Sequence, residues 1–190
     1  MFWDSTVLKD DLVADIENVE ERLRDASEGE LESALIAVEQ FVFWAAFAVR
    51  KLADSYKLSD EFESTSWGVH VYPKKASTPA VDFLNWHRLD RHYDFAAQSR
   101  SRLKLRQLCG FLVHSFVFMP ETTDDGRTLT GLLFNSDRTK DVAIYRISWD
   151  EFCNLIQSLA IDDIVEFSYN RITGAMVKRG TNTASHASSC

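Results

Sequence analysis

Residues 128–147 read TLTGLLFNSDRTKDVAIYRI, and their grammar decides the fold class. Two runs rich in apolar and β-branched residues, Thr128–Phe134 and Val142–Ile147, flank the polar loop NSDRTKD, the pattern of an antiparallel hairpin. Ser148 follows at once, with Glu151 three residues on at capping-box spacing, so a helix is expected from there to about Leu159. Ile164–Tyr169 and Ile172–Val177 then read as a second strand pair turning at Asn170-Arg171. Residues 117–180 are thus hairpin, helix, hairpin, and the small polar residues 181–190 (TNTASHASSC) read as a disordered tail.

Upstream the period changes. Leu8, Leu12, Ile16, Val19 and Leu23 recur at helical spacing over residues 6–25, with Asp11, Asp15, Glu17, Glu20 and Glu21 on the other faces. Ser27 and Glu30 have capping-box spacing before a longer helix, Leu31–Tyr56. Phe41, Ala45, Ala48 and Leu52 are its expected core, and Phe43, Trp44 and Phe47 widen its apolar face almost all round, the mark of a central helix. Between residues 59 and 80 the period breaks, leaving room for a short strand at Trp67–Tyr72. Thr78 before Pro79 predicts a helix start running to about His87. Residues 98–116 regain helical spacing through Leu103, Leu105, Leu108, Leu112, Val113 and Phe116. The expected fold is therefore α+β: one domain over residues 1–180, with a mainly helical N-terminal half (1–116) packed on a small antiparallel sheet from the C-terminal third. Seven Gly and three Pro are too few for the many tight turns of an all-β barrel.

Net charge is -8, which disfavours a protein that coats nucleic acid. Its distribution is uneven. Residues 1–40 carry -9, residues 41–120 carry +4 and residues 121–190 carry -3. The middle holds a basic island of His87, Arg88, Arg91, His92, Arg100, Arg102, Lys104 and Arg106. Its bland reading is that Arg88, Arg91, Arg102 and Arg106 pair with the acidic first helix. Its functional reading is phosphate contact, with Arg88, Arg91, Arg102 and Lys104 binding RNA weakly.

Cys109, Cys153 and Cys190 have neither disulfide nor zinc spacing, and Cys109 sits among apolar neighbours as an inert thiol. Asp162-Asp163 reads as a helix-exit pair rather than a catalytic one. P-loop, dinucleotide, nucleophile-elbow and zincin motifs are missing, so no cofactor and no metal are expected. Asp4, Asp10 and Asp11 stand where a secretory leader needs a basic start, and the apolar run Phe41–Val49 is about half a membrane span. A reducing cytoplasm, without membrane contact, is the expected compartment.

Three stretches, FAVRKLADSYKLSD (47–60), LRQLCGFLVHSFVF (105–118) and NSDRTKDVAIYRIS (135–148), resemble a family of uncharacterised bacterial proteins with the same order of segments. The helical half is more distantly similar to HEPN-type helical domains. That resemblance implies RNA-cleaving toxins or binding modules of toxin–antitoxin and phage-defence systems. On the HEPN pattern His114 matches the family's histidine, while Cys109 stands at the arginine position and Gly110 at the polar one. Arg88 and His92 are too closely spaced to replace them. With the phosphate-binding cation missing, the resemblance implies a non-catalytic relative.

The leading expectation is thus a non-catalytic binding module in a bacterial defence or toxin–antitoxin setting, with a protein partner or a second copy of itself. The alternative is a metal-independent endoribonuclease using His114, with His92 as partner and Arg106 as phosphate clamp, in one chain or across a dimer with Arg88 or Arg91. A small-molecule sensor built around Trp44, Trp67 and Trp86 is the third.

Overall fold

The leucine and valine spacing of the first segment produces α1 (Thr6–Asp25), which buries Leu12, Ile16, Val19 and Leu23 and leaves most of its carboxylates in solvent. In the computed structural model, which describes residues 5–181, α1 lies against α2 (Leu31–Asp54). One half of the expected capping box forms between them. The Glu30 carboxylate accepts the Ser27 N–H at 3.0 Å and its hydroxyl at 2.5 Å, which holds the Glu30 pKa below the usual carboxylate value. Phe41, Ala45, Ala48 and Leu52 are buried as expected, each large apolar side chain contributing roughly 1.5–3 kcal/mol. The all-round burial of α2 is corrected. Trp44 and Phe47 are nearly half exposed and stack on each other with ring centroids 6.0 Å apart, on a side that none of the described elements covers. By length and composition α2 could also cross a bilayer; here it packs on α1, on the helix Leu105–Val113 and on the strand Ser115–Thr122.

Beyond α2 come α3 (Asp60–Ser64), β1 (Ser66–Pro73), α4 (Leu89–His92), β2 (Ser99–Lys104), α5 (Leu105–Val113), β3 (Ser115–Thr122), β4 (Leu129–Ser136), β5 (Ala143–Ser148), α6 (Trp149–Ala160), β6 (Ile164–Tyr169) and β7 (Met176–Gly180). The architecture is α+β. A five-stranded antiparallel sheet has the order β2-β1-β5-β4-β3, and β6 and β7 form a separate hairpin. The 128–147 hairpin forms as β4 and β5, with Leu132 opposite Ile147. Alternate residues face opposite ways along each strand. Trp67, Val69, Leu103, Leu132, Phe134 and Ile147 meet the helices α1, α2, α5 and α6. Tyr72, Leu133 and Ile144 turn to the other face, where the 74–98 connection packs Val81, Leu89 and Tyr93 over them.

Three sequence expectations are corrected. Residues 98–116 are not one helix but β2, α5 and the start of β3. In Ser99–Lys104 the alternation S-R-S-R-L-K overrides the leucine spacing, because Leu103 enters the core opposite Trp67 while Arg100, Arg102 and Lys104 face the other way. The sheet therefore draws β1 and β2 from the half expected to be mainly helical. The helix expected after Pro79 is a set of turns: the Asp82 carboxylate accepts the N–H of Leu84 (2.8 Å) and Asn85 (3.1 Å), while Asn85 Oδ1 accepts from Asp82 N–H (2.9 Å). The last strand is Met176–Gly180 rather than Ile172–Val177, since Asn170 Oδ1 accepts the N–H groups of Ile172 and Thr173 and Gly174, at φ +71°, completes a wider turn. Apart from Thr181, the expected tail lies outside the described residues.

Candidate functional site

Arg106 opens α5 as a structural clamp. Its Nη1 donates to Asp54 Oδ1 at 2.7 Å and its Nη2 to Glu63 Oε2 at 3.1 Å, tying the end of α2 to α3. Hydrogen bonding to Arg106 holds the Asp54 carboxyl below its ordinary value, and Asp54 in turn raises that of the guanidinium. His114 caps the far end of the same helix, exposed, with Nε2 3.3 Å from Arg50 Nη1. His92 ends α4, buried, with Nε2 3.1 Å from the Asn85 carbonyl and an unpartnered Nδ1. Its element packs with Tyr93 and Leu89 on the sheet face opposite α5. The nuclease set His114, His92 and Arg106 is therefore not brought together within one chain.

Cys109, at the position where the HEPN resemblance implies arginine, is buried, and burial pushes its thiol up to about 12. Cys153 is raised likewise. The sensor tryptophans also separate: Trp67 lies in the helix-side core, Trp86 packs on the other sheet face and Trp44 faces outward from α2.

The basic island does not pair with α1. Among the described residues the only ion pair of α1 is Lys9 with Asp163, and Glu20 accepts from Trp149 Nε1 at 2.5 Å. Arg88 and Arg91 are exposed around α4, whereas Arg102 and Lys104 belong to β2, so the four expected binding cations divide between two places.

At β2 a surface takes shape. The β1–β5 pairing runs only from Pro73–Ala143 to His70–Arg146, while β5 stays paired with β4 to Ser148 before turning into α6. Glu151 fills the gap. Its Oε1 accepts the Gly68 N–H at 2.8 Å, and a Cβ at Gly68 would stand 3.4 Å from the same oxygen, so glycine leaves room for the carboxylate. Ser148 Oγ accepts from the Glu151 N–H at 3.2 Å, so only one half of this second capping box is local. The result is a cleft of about 420 Å³ lined by Gly68, His70, Arg100, Arg102, Ser148 and Glu151 among others. Arg102 donates to the Ser66 carbonyl, and the Gln98 amide meets His70 Nδ1. The Arg100 and Lys104 side chains are exposed and have no partner among the described residues. Sequence reading missed His70, Gly68, Ser148 and Glu151; the available signal was the strict alternation of Ser99–Lys104, which places every cation of β2 on one face.

A second cleft, of about 490 Å³, lies between α4 and the β3–β4 edge, with Leu89, Phe95, Met119 and Leu133 as apolar lining and His87, Asp90 and Glu121 as polar lining. Among the described residues no group of three or more His, Cys, Asp or Glu side chains is arranged to hold a metal ion. No family model matches the chain, and the comparisons with curated proteins and with solved structures give no match either.

Proposed function

We propose that this protein is a non-catalytic interaction module that captures an anionic partner on the β1–β2 face. The observation that carries the reading is the side-by-side placement of Arg100, Arg102 and Lys104 on one face of an edge strand, bordering an open cleft. Two of the three cations have no partner among the described residues, so they keep their full capacity for carboxylate or phosphate oxygens. Support also comes from what surrounds them. Glu151 is the carboxylate in the cleft, and one of its oxygens is occupied by the Gly68 N–H. The separation of His92 from His114 and Arg106 favours this reading over the endoribonuclease.

The test is fluorescence anisotropy with a short labelled polyglutamate peptide in dilute buffer. Binding should appear and should weaken as added salt shortens the Debye length from roughly 30 Å to 8 Å. The double variant Arg100→Glu/Arg102→Glu, with its circular dichroism unchanged, should lose it. Equal binding by wild type and double variant would end the proposal.

A further inference from the structure

The two edges of the sheet are built differently. β3 carries Pro120 within the strand and breaks register twice, between Ser115 and Val117 and between Glu121 and Thr122. Both devices spoil an edge as a template for another strand. β2 has neither: it pairs with β1 in unbroken register from Ser66–Lys104 to Val71–Ser99. Five of its six residues are exposed, and among the described residues no other element pairs with its outer side. A regular edge roughly 20 Å long, with free backbone groups, is therefore presented to solvent. The only edge device on it is charge.

That charge selects among occupants. Cross-strand neighbours in an antiparallel pair share a face, so the β2 of a second copy would set cations against Arg100, Arg102 and Lys104 and be repelled. Single-stranded RNA would want exposed aromatic rings for its bases to stack on. The cleft offers only the imidazole of His70, and Tyr72, next in line on that face, is buried. An extended polypeptide with a carboxylate at every second residue answers both features at once. Its backbone continues the sheet, while its acidic side chains fall opposite Arg100, Arg102 and Lys104, where guanidinium–carboxylate pairs form in good geometry.

Resting on the anion-capture reading above, we propose that β2 is a strand-addition site, and that its partner is an acidic segment of another protein that joins the sheet as a sixth strand with Asp or Glu at alternate positions.

The experiment uses the full chain and an acetylated peptide of alternating Glu and Thr, about eight residues long to cover the strand. Two N-methylated versions carry the methyl groups on odd or on even amides, so that each blocks one edge of the peptide. A fourth peptide has the same composition in two blocks. A short RNA oligomer serves as the other anion. Strand addition predicts that one N-methyl register abolishes binding while the other leaves it within about twofold, since only one peptide edge donates to β2. It also predicts that the blocked-composition peptide binds about tenfold more weakly or worse. Amide exchange of residues 99–104 should slow in the complex.

If both N-methyl registers bind equally and Arg100→Ala/Arg102→Ala still abolishes binding, strand addition is overturned while anion capture stands. Arginine-dependent binding of the RNA with none of the peptide has the same meaning. If neither probe binds, both proposals fall.

Discussion

Asp162, fully buried at the exit of α6, accepts both the hydroxyl (2.5 Å) and the N–H (2.9 Å) of Ser59, which in turn caps α3 by accepting from Phe62 N–H at 3.0 Å. The buried Lys9 of α1 donates to the Asp162 carbonyl, and Gly180 of β7 passes so close that an added Cβ would lie 2.8 Å from Asp162 Oδ1. One residue therefore joins elements from both ends of the chain, its carboxylate holding Ser59 and its main-chain carbonyl holding Lys9. The helix-exit reading of Asp162-Asp163 is correct as to place, but it missed this partner.

Removing that carboxylate strands two donors of Ser59 in the interior. Asp162→Ala should cost about 3 kcal/mol, and Asp162→Asn, which keeps one acceptor oxygen, should cost less. Urea unfolding measures both; an Ala variant within about 0.5 kcal/mol of wild type contradicts the lock.

Gly180 tests the same packing from the other side. Gly180→Ala brings a methyl group against Ser59 Cβ at 2.7 Å, so the α3–β7 seam must open. The variant should lose about 1–3 kcal/mol, as overpacked sites do. Substitution at Gly29, where a Cβ would meet nothing within 4 Å, should not show that packing loss.

Tyr93 lies fully buried between Asn135, whose amide donates to the phenol at 2.7 Å, and the Lys140 carbonyl, which accepts from it at 2.7 Å. Burial pushes this phenol up to about 12. Because the folded value exceeds that of the unfolded chain, the neutral phenol's contribution is fully present below about pH 10 and is lost as pH rises through about 12. Ultraviolet difference titration of the native protein should therefore show a late tyrosine ionisation that Tyr93→Phe removes. An unchanged titration in that variant would refute the assignment.

The buried thiol of Cys109 and the half-buried thiol of Cys153 should both be inert. Burial raises both Cys109 and Cys153 to about 12, so the thiolate is scarce at pH 8. Iodoacetamide with peptide mapping should leave both unmodified in the native protein and alkylate both in guanidinium. Rapid native labelling at Cys109 would restore it as a candidate nucleophile.

The helices and hairpins legible in sequence are those where one period rules without competition. Leu12, Ile16, Val19 and Leu23 have no rival pattern, and Val142–Ile147 is a β-rich run beside a polar loop. The errors fall where two signals overlap. Leu103 and Leu105 look like neighbours on one helix, but the chain passes from strand to helix between them, at Lys104. Asp82 draws no notice beside Thr78-Pro79, and Asn170 marks the turn but not its width, whereas in the structure the side chain of each closes its own turn. The candidate site was half legible: Arg102 and Lys104 stood out by charge, while Glu151 and Gly68, 83 residues apart, meet where the pairing of β5 with β1 stops at Arg146.

Arg106 and Arg102 looked alike in sequence, and the structure separates their roles. Arg106 bridges Asp54 and Glu63, whereas Arg102 donates to the Ser66 carbonyl and borders the cleft. Arg106→Ala should thus lower stability by about 1 kcal/mol or less, because its ion pairs are partly solvated, and should leave peptide binding unchanged. Arg102→Ala should do the reverse. The Asp54 carboxyl supplies a pH signature. Its folded value is depressed by Arg106, so its contribution is present above the unfolded value of about 4 and is lost as pH falls through the lower folded one. The melting-temperature gap between wild type and Arg106→Ala should therefore be widest near neutrality and narrow towards pH 3. A gap that stays constant from pH 7 to pH 3, or peptide binding that falls in the Arg106 variant as steeply as in the Arg102 variant, would show that the two arginines act as one surface.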